Sequence, residues 1–153
     1  MKEVNKMKSK RGFTLIEMMI VVAIIALLAT IAIPNYISFQ LRAKTSEAKS
    51  NLGAIRTCEE AYRAENDVYY ACGNNPTSIP VGIKAAWTST AAGWTDIGFE
   101  PKGNVYFQYA VTVGGGGTTF AATATGDLDG DASAYSVYTL DQDGNLTSTN
   151  PLE

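Results

Sequence analysis

The sequence predicts an α+β protein in which one long N-terminal α-helix packs on an antiparallel β-meander of about four strands. Three patterns carry that expectation. Apolar residues run almost unbroken from Phe13 to Ile33. Helical spacing resumes after Pro34 and continues to about Glu65. From residue 104 onward, short alternating segments are separated by turns rich in glycine and aspartate. A chain of 153 residues has room for one globular domain plus an anchor.

The first element is the apolar run. Counted from Phe13 to Ile33 it spans 21 residues, about 31 Å of helix, which matches a hydrocarbon core of about 30 Å. Lys2, Lys6, Lys8, Lys10 and Arg11 precede it against one acid, Glu3. Such a basic flank stays cytoplasmic, so everything after Pro34 is expected outside. The formal net charge of -3 hides this asymmetry. Residues 1–12 hold five basic and one acidic side chain, leaving 7 basic against 14 acidic, a balance of -7. An acidic exterior argues against nucleic acid bound by the monomer. A secretory signal places its small-residue cleavage site after the apolar core. Here the small residue, Gly12, stands before it, so a cut there removes the tail and keeps the helix. Within the run Glu17 is the one charge, and a carboxylate near the end of a span needs neutralising.

Pro34 lacks the amide that would bond to Thr30 and its ring crowds that turn, so a helix kink is expected there. Over residues 35–66 Leu41, Ala48, Leu52, Ile55 and Tyr62 recur at steps of three, four and seven, with Cys58 on the same side. Charged residues lie between them, among them Glu59 and Arg63 in the favourable i,i+4 order. Asn66-Asp67 is the expected stop. If both halves join, the helix is about 80 Å long and needs neighbours along its length. Residues 67–103 read as a helix-to-sheet loop containing both tryptophans, Trp87 and Trp94. The β region and C-terminal segment occupy 104–153. In 104–113, Val105, Phe107, Tyr109, Val111 and Val113 share one face; a GGGG connection leads to 118–125, then 134–140, then a short LTST strand.

Two further patterns concern ligands. Asp127, Asp129 and Asp131 alternate as oxygen ligands for calcium do, but no glutamate follows at the bidentate position, and Asp-Gly pairs are also common turn chemistry. A structural turn and a calcium site both stay open, and no other cofactor is expected. Cys58 and Cys72 fall on the exterior part, where an oxidising compartment favours a disulfide over two thiols. The chain has no histidine, no Ser/His/Asp set and no phosphate-binding loop, so catalysis is not expected.

K-R-G-F-T-L-I-E, followed by an apolar run and Pro34, resembles the class III leader and N-terminal helix of type IV pilins, closely over residues 8–40. The resemblance implies the type IV pilin fold. It implies that residues 1–12 are a leader peptide, that a prepilin peptidase/N-methyltransferase cuts after Gly12, and that Phe13 becomes a methylated N-terminus. It places residues 13–34 first in the bacterial inner membrane and then in the core of an extracellular pilus. There Glu17 of one copy meets the Phe13 amine of a neighbour. The partners implied are other copies of the chain, an inner-membrane platform protein and assembly and retraction ATPases. The roles implied are adhesion, twitching motility, aggregation or DNA uptake. A pseudopilin of a type II secretion system is the alternative in the same family. A third idea is electrical conduction along Phe13, Tyr36, Phe39, Tyr62, Tyr69 and Tyr70, set against ordinary aromatic packing. Two positions depart from the family pattern. Ala26 stands where many relatives have glycine, and Cys58 and Cys72 lie far from the C-terminal loop that many relatives close with a disulfide.

Overall fold

The computed structural model describes residues 12–131 and 134–151. The basic tail before Gly12 and the last two residues of the C-terminal segment lie outside the described residues. The chain divides into two compact units, one reaching Ile37 and the other starting at Ser38. Helix α1 covers Leu15–Asn66 and contains Pro34 within it.

In the second unit α1 presents Thr45, Ala48, Leu52, Ile55 and Glu59 as its buried residues. Their steps of three and four trace one stripe of a 3.6-residue helix. The apolar members match the stripe expected from the sequence, with Leu41, Cys58 and Tyr62 partly buried beside it. Thr45 and Glu59 correct that reading. They lie in the same stripe, and Glu59, expected on the charged face beside Arg63, is fully buried. The helix ends where anticipated, because Asp67 adopts a left-handed φ of 61° and its N–H donates to the Arg63 carbonyl at 2.8 Å.

Five strands follow rather than four: β1 (Cys72–Asn75), β2 (Gln108–Gly114), β3 (Thr119–Gly126), β4 (Ser136–Asp141) and β5 (Leu146–Thr149). All pair antiparallel in sequence order. The unexpected strand is β1, inside the segment read as loop. Its sequence, CGNN, has no alternating apolar pattern, and β-propensity gives it no support. Pairing with β2, Cys72 opposite Val111, is what makes it a strand. Val105, expected inside the first strand, instead bridges Ala85 through two 2.9 Å bonds.

The register explains the composition of the sheet. Tyr109 faces Ala124, which faces Tyr138; Val111 faces Ala122, which faces Leu140. Large side chains flank small ones, so the inner face fills without overlap. Gly126 shows how tight the fit is, since a Cβ there would sit 2.8 Å from the Phe107 ring and 2.9 Å from the Tyr106 carbonyl oxygen. The β2–β3 connection carries three consecutive glycines with positive φ, Gly115, Gly116 and Gly117, a backbone that residues with a Cβ rarely adopt.

Polar ties fix α1 on the sheet within this unit. Asn51 Nδ2 donates to the Tyr109 hydroxyl at 2.9 Å, and Tyr138 donates to Thr45 Oγ1 at 3.4 Å. Glu47 accepts from the Tyr106 N–H at 2.7 Å and pairs with Lys84 at 3.1 Å. Arg56 Nε donates to the Gln142 carbonyl at 3.1 Å.

Candidate assembly site

The first unit is defined by what it leaves uncovered. Among the described residues, α1 is the one helix long and apolar enough to cross a membrane, and none of its most apolar window is buried. Phe13 and Leu15 are 83% and 77% exposed, and the apolar side chains from Ile16 to Ile33 are similarly open. A soluble protein does not leave such a surface in water. A bilayer or neighbouring helices must cover it. Thr30 adapts to that setting by donating its hydroxyl to the Ala26 carbonyl at 2.8 Å, so no polar side-chain hydrogen faces hydrocarbon.

The head of this helix is a capping box. Thr14 N–H donates to Glu17 Oε2 at 2.7 Å and Thr14 Oγ1 donates to the same oxygen at 2.8 Å. In return, Glu17 N–H donates to Thr14 Oγ1 at 3.3 Å. Helix N-termini leave amide hydrogens unpaired, and a Thr-x-x-Glu pair satisfies two of them reciprocally. Both Thr14 contacts fall on Oε2 and neither on Oε1. The carboxylate is thus held through Oε2, and Oε1 takes no part in the capping box. Phe13 N, the atom that the expected cleavage after Gly12 would turn into an amine, is here a peptide nitrogen one residue before Thr14. The sequence reading singled out Glu17 and passed over Thr14, although the T-x-x-E spacing was there to be read.

The other anticipated positions lie in the second unit. Cys58, half-buried on α1, and Cys72, buried at the start of β1, are both free thiols, so the disulfide expected from the sequence is not formed in this structure. The buried Glu59 carboxylate accepts the Tyr70 N–H at 3.0 Å and lies 4.0 Å from Cys72 Sγ. Burial pushes the Cys72 thiol up to about 12, with the Glu59 charge adding to the effect. Burial and then Glu59 also raise Cys58. Burial raises Glu59 itself, opposed by the Tyr70 amide and reinforced by Glu60. A thiol held protonated in this way forms a thiolate only rarely, and thiolate is the species that reacts.

Asp127, Asp129 and Asp131 do converge, with carboxylate oxygens within 4.8 Å of one another. The donor set is all oxygen, which suits calcium. The same turn is also built by its own backbone. Gly130 N–H donates to Asp127 Oδ1 at 2.8 Å, Gly82 N–H and the Pro80 carbonyl pair with Asp127, and Lys44 Nζ donates to the Leu128 carbonyl at 3.0 Å. Of the aromatic series, Tyr62 and Tyr70 come together at 5.1 Å. Tyr69 packs instead on Phe120 at 4.7 Å, and its hydroxyl bridges Arg63 and Glu60 at 2.8 Å each.

Comparison with known proteins adds an independent line. The family described as "Prokaryotic N-terminal methylation motif" matches residues 7–33. The type IV wide pilus major component of Thermus thermophilus is 36% identical over 76% of this chain and 84% of its own length. A fimbrial protein of Pseudomonas aeruginosa is 32% identical over 71% of each chain. The type IV major pilin protein PilA of Myxococcus xanthus is 42% identical over 69% of this chain, but the match spans only 39% of that longer protein.

Proposed function

Because this chain belongs to the type IV pilin family, we propose that it is the structural subunit of an extracellular type IV pilus, a homopolymer serving adhesion, twitching motility, aggregation or DNA uptake. The observation that carries the proposal is the exposed apolar helix headed by a single carboxylate held in a capping box. That helix is solvated first by the bacterial inner membrane. A prepilin peptidase cuts after Gly12 and methylates the Phe13 amine, and the subunit is drawn into a filament by an inner-membrane platform protein and ATPases. Lipid tails already solvate the helix, so assembly exchanges lipid contacts for helix packing and needs external work.

In the filament core the Glu17 carboxylate of one copy pairs with the Phe13 ammonium of another. The desolvation cost of the two ions offsets much of their attraction, so the pair chiefly fixes register. A copy displaced along the axis leaves a buried charge unpaired, at a cost of about 3–5 kcal/mol. Its role is structural and not catalytic. Outside the cell, an oxidant would join Cys58 to Cys72 and staple the end of α1 to β1.

Mass spectrometry of sheared filaments tests cleavage, methylation and the thiol state together. The expected product begins at a methylated Phe13. Native material that still begins at Met1 refutes the reading.

A further inference from the structure

Residues 87–100, between β1 and β2, enclose a cleft of about 240 Å³ lined by Trp87, Ser89, Trp94, Thr95, Phe99 and Glu100. Trp87 is half-buried in its wall, and the indole Nε1 lies inside the protein. The surface that Trp87 gives the cleft is therefore the carbon surface of an indole and not a hydrogen-bond donor. Two buried rings fix its orientation, Trp94 at 5.0 Å and Phe99 at 5.6 Å, both edge-on. The Asn75 side chain holds the next residue, Thr88, by both backbone groups, at 2.9 and 3.1 Å. The aromatic wall is thus built before any guest arrives.

The rest of the lining is polar. Glu100 is exposed and lines the same cleft. Among the described residues its carboxylate has no hydrogen-bond or ion-pair partner, and no basic side chain lines the cleft. Ser89 and Thr95, also exposed, add hydroxyl oxygens. An indole face carries negative potential, as a carboxylate does, so the lining as a whole favours a cation.

Chemistry narrows which cation. A primary ammonium brings N–H donors that aromatic carbon leaves unmet, at a cost in free energy. A hard metal ion asks for about six oxygen ligands, more than one carboxylate and two hydroxyls supply. A quaternary ammonium has no N–H to satisfy, and its charge is spread over methyl groups that pack on an indole. The volume, below that of drug-sized pockets, suits one such head group. We propose that this cleft binds a small quaternary ammonium of the choline class, its methyl groups on the carbon surface of Trp87 and its charge answered by Glu100. No side chain has to move, because both groups already line the cleft. The proposal is independent of polymerisation.

The chain has two tryptophans, and both line this cleft, so intrinsic fluorescence reads its occupancy. The experiment titrates the full chain, in a nonionic detergent at constant ionic strength, with choline and tetramethylammonium. Dimethylbutanol, the carbon isostere of choline, keeps the shape without the charge, and ammonium keeps the charge without the methyl groups. Saturation is expected with both quaternary ions, and about tenfold weaker binding of each control. Trp87→Leu should weaken choline about tenfold, with Trp94 as the remaining reporter. Glu100→Gln should weaken it about threefold, and by less at high salt. Glu100 is exposed, so that variant decides the matter if Trp87→Leu does not fold. Absence of saturation by the quaternary ions overturns the proposal. So does binding of either control as tightly as choline, or unchanged choline affinity in either variant.

Discussion

Replacing Glu17 by glutamine separates two duties of one side chain. In the capping box, Oε2 accepts from both the N–H and the hydroxyl of Thr14, at 2.7 and 2.8 Å. A glutamine carbonyl oxygen accepts the same two bonds, so the head of α1 and its entry into the bilayer survive the change. The negative charge does not survive, and the proposed filament then buries the Phe13 ammonium of every copy without a counter-ion. Breaking a buried pair by removing one partner costs about 3–5 kcal/mol. At about 1.4 kcal/mol per tenfold, that weakens each subunit addition by roughly two to three and a half orders of magnitude. The assay compares pilin in the membrane fraction with pilin in sheared, pelletable filaments. Glu17→Gln should leave the membrane pool at the wild-type level and reduce filaments to a per cent or less.

Thr14→Val provides the converse perturbation. It keeps the charge and removes the hydroxyl that orients it, a cap loss of about 1 kcal/mol, and should lower filament yield only several-fold. Normal piliation by Glu17→Gln would refute the charge argument outright. Equal losses in the two variants would show that helix capping, not charge pairing, is what assembly needs.

Three further outcomes follow from the second unit. Glu59 binds its proton more tightly in the folded than in the unfolded state, because burial raises its carboxyl above the ordinary 4.5. The Glu59 contribution to stability should therefore be fully present below pH 4.5 and be lost as pH rises through the window up to the raised folded value. Glu59→Gln should flatten that fall in thermal melts, and an unchanged pH slope contradicts the burial argument. With the Cys72 thiol pushed up to about 12, only roughly one in ten thousand such groups is thiolate at pH 8. In protein kept reduced, native alkylation should then mark Cys58 and spare Cys72 until the protein unfolds, whereas equal labelling rates would count against the buried position of β1. Removal of divalent cations with a chelator should leave Tm unchanged if the Asp127 turn is held by Gly130, Pro80, Gly82 and Lys44. A fall of several degrees would make calcium a resident ligand.

What the sequence revealed depended on how local each signal was. The apolar span, the carboxylate at its head and the alternation of β2 to β4 are written in neighbouring residues, and periodicity exposes them. Strand β1 is not of that kind. Nothing in CGNN distinguishes it from a loop, and it exists because Cys72 lies opposite Val111 on an edge that needed a partner. The same holds for Trp87, whose ring meets Trp94 at 5.0 Å and Phe99 at 5.6 Å, and for Asn75, which bonds both backbone groups of Thr88 from 13 residues away.

Glu59 is the instructive intermediate case. Its position in the sequence 45, 48, 52, 55, 59 places it on the buried stripe by spacing alone. Side-chain chemistry argued the opposite, since an unpaired carboxylate is seldom fully buried. Spacing prevailed because Tyr70, four residues past the last residue of α1, supplies an amide hydrogen at 3.0 Å, and that bond meets part of the desolvation cost. The same reasoning applies at Glu17, where Thr14 answers a carboxylate at the head of the apolar helix. Each acid is first accommodated by a donor in its own chain. At Glu59 that donor, together with burial, completes the site. At Glu17 the helix is exposed and Oε1 takes neither Thr14 bond; in the proposed filament the Phe13 ammonium of another copy is the second donor.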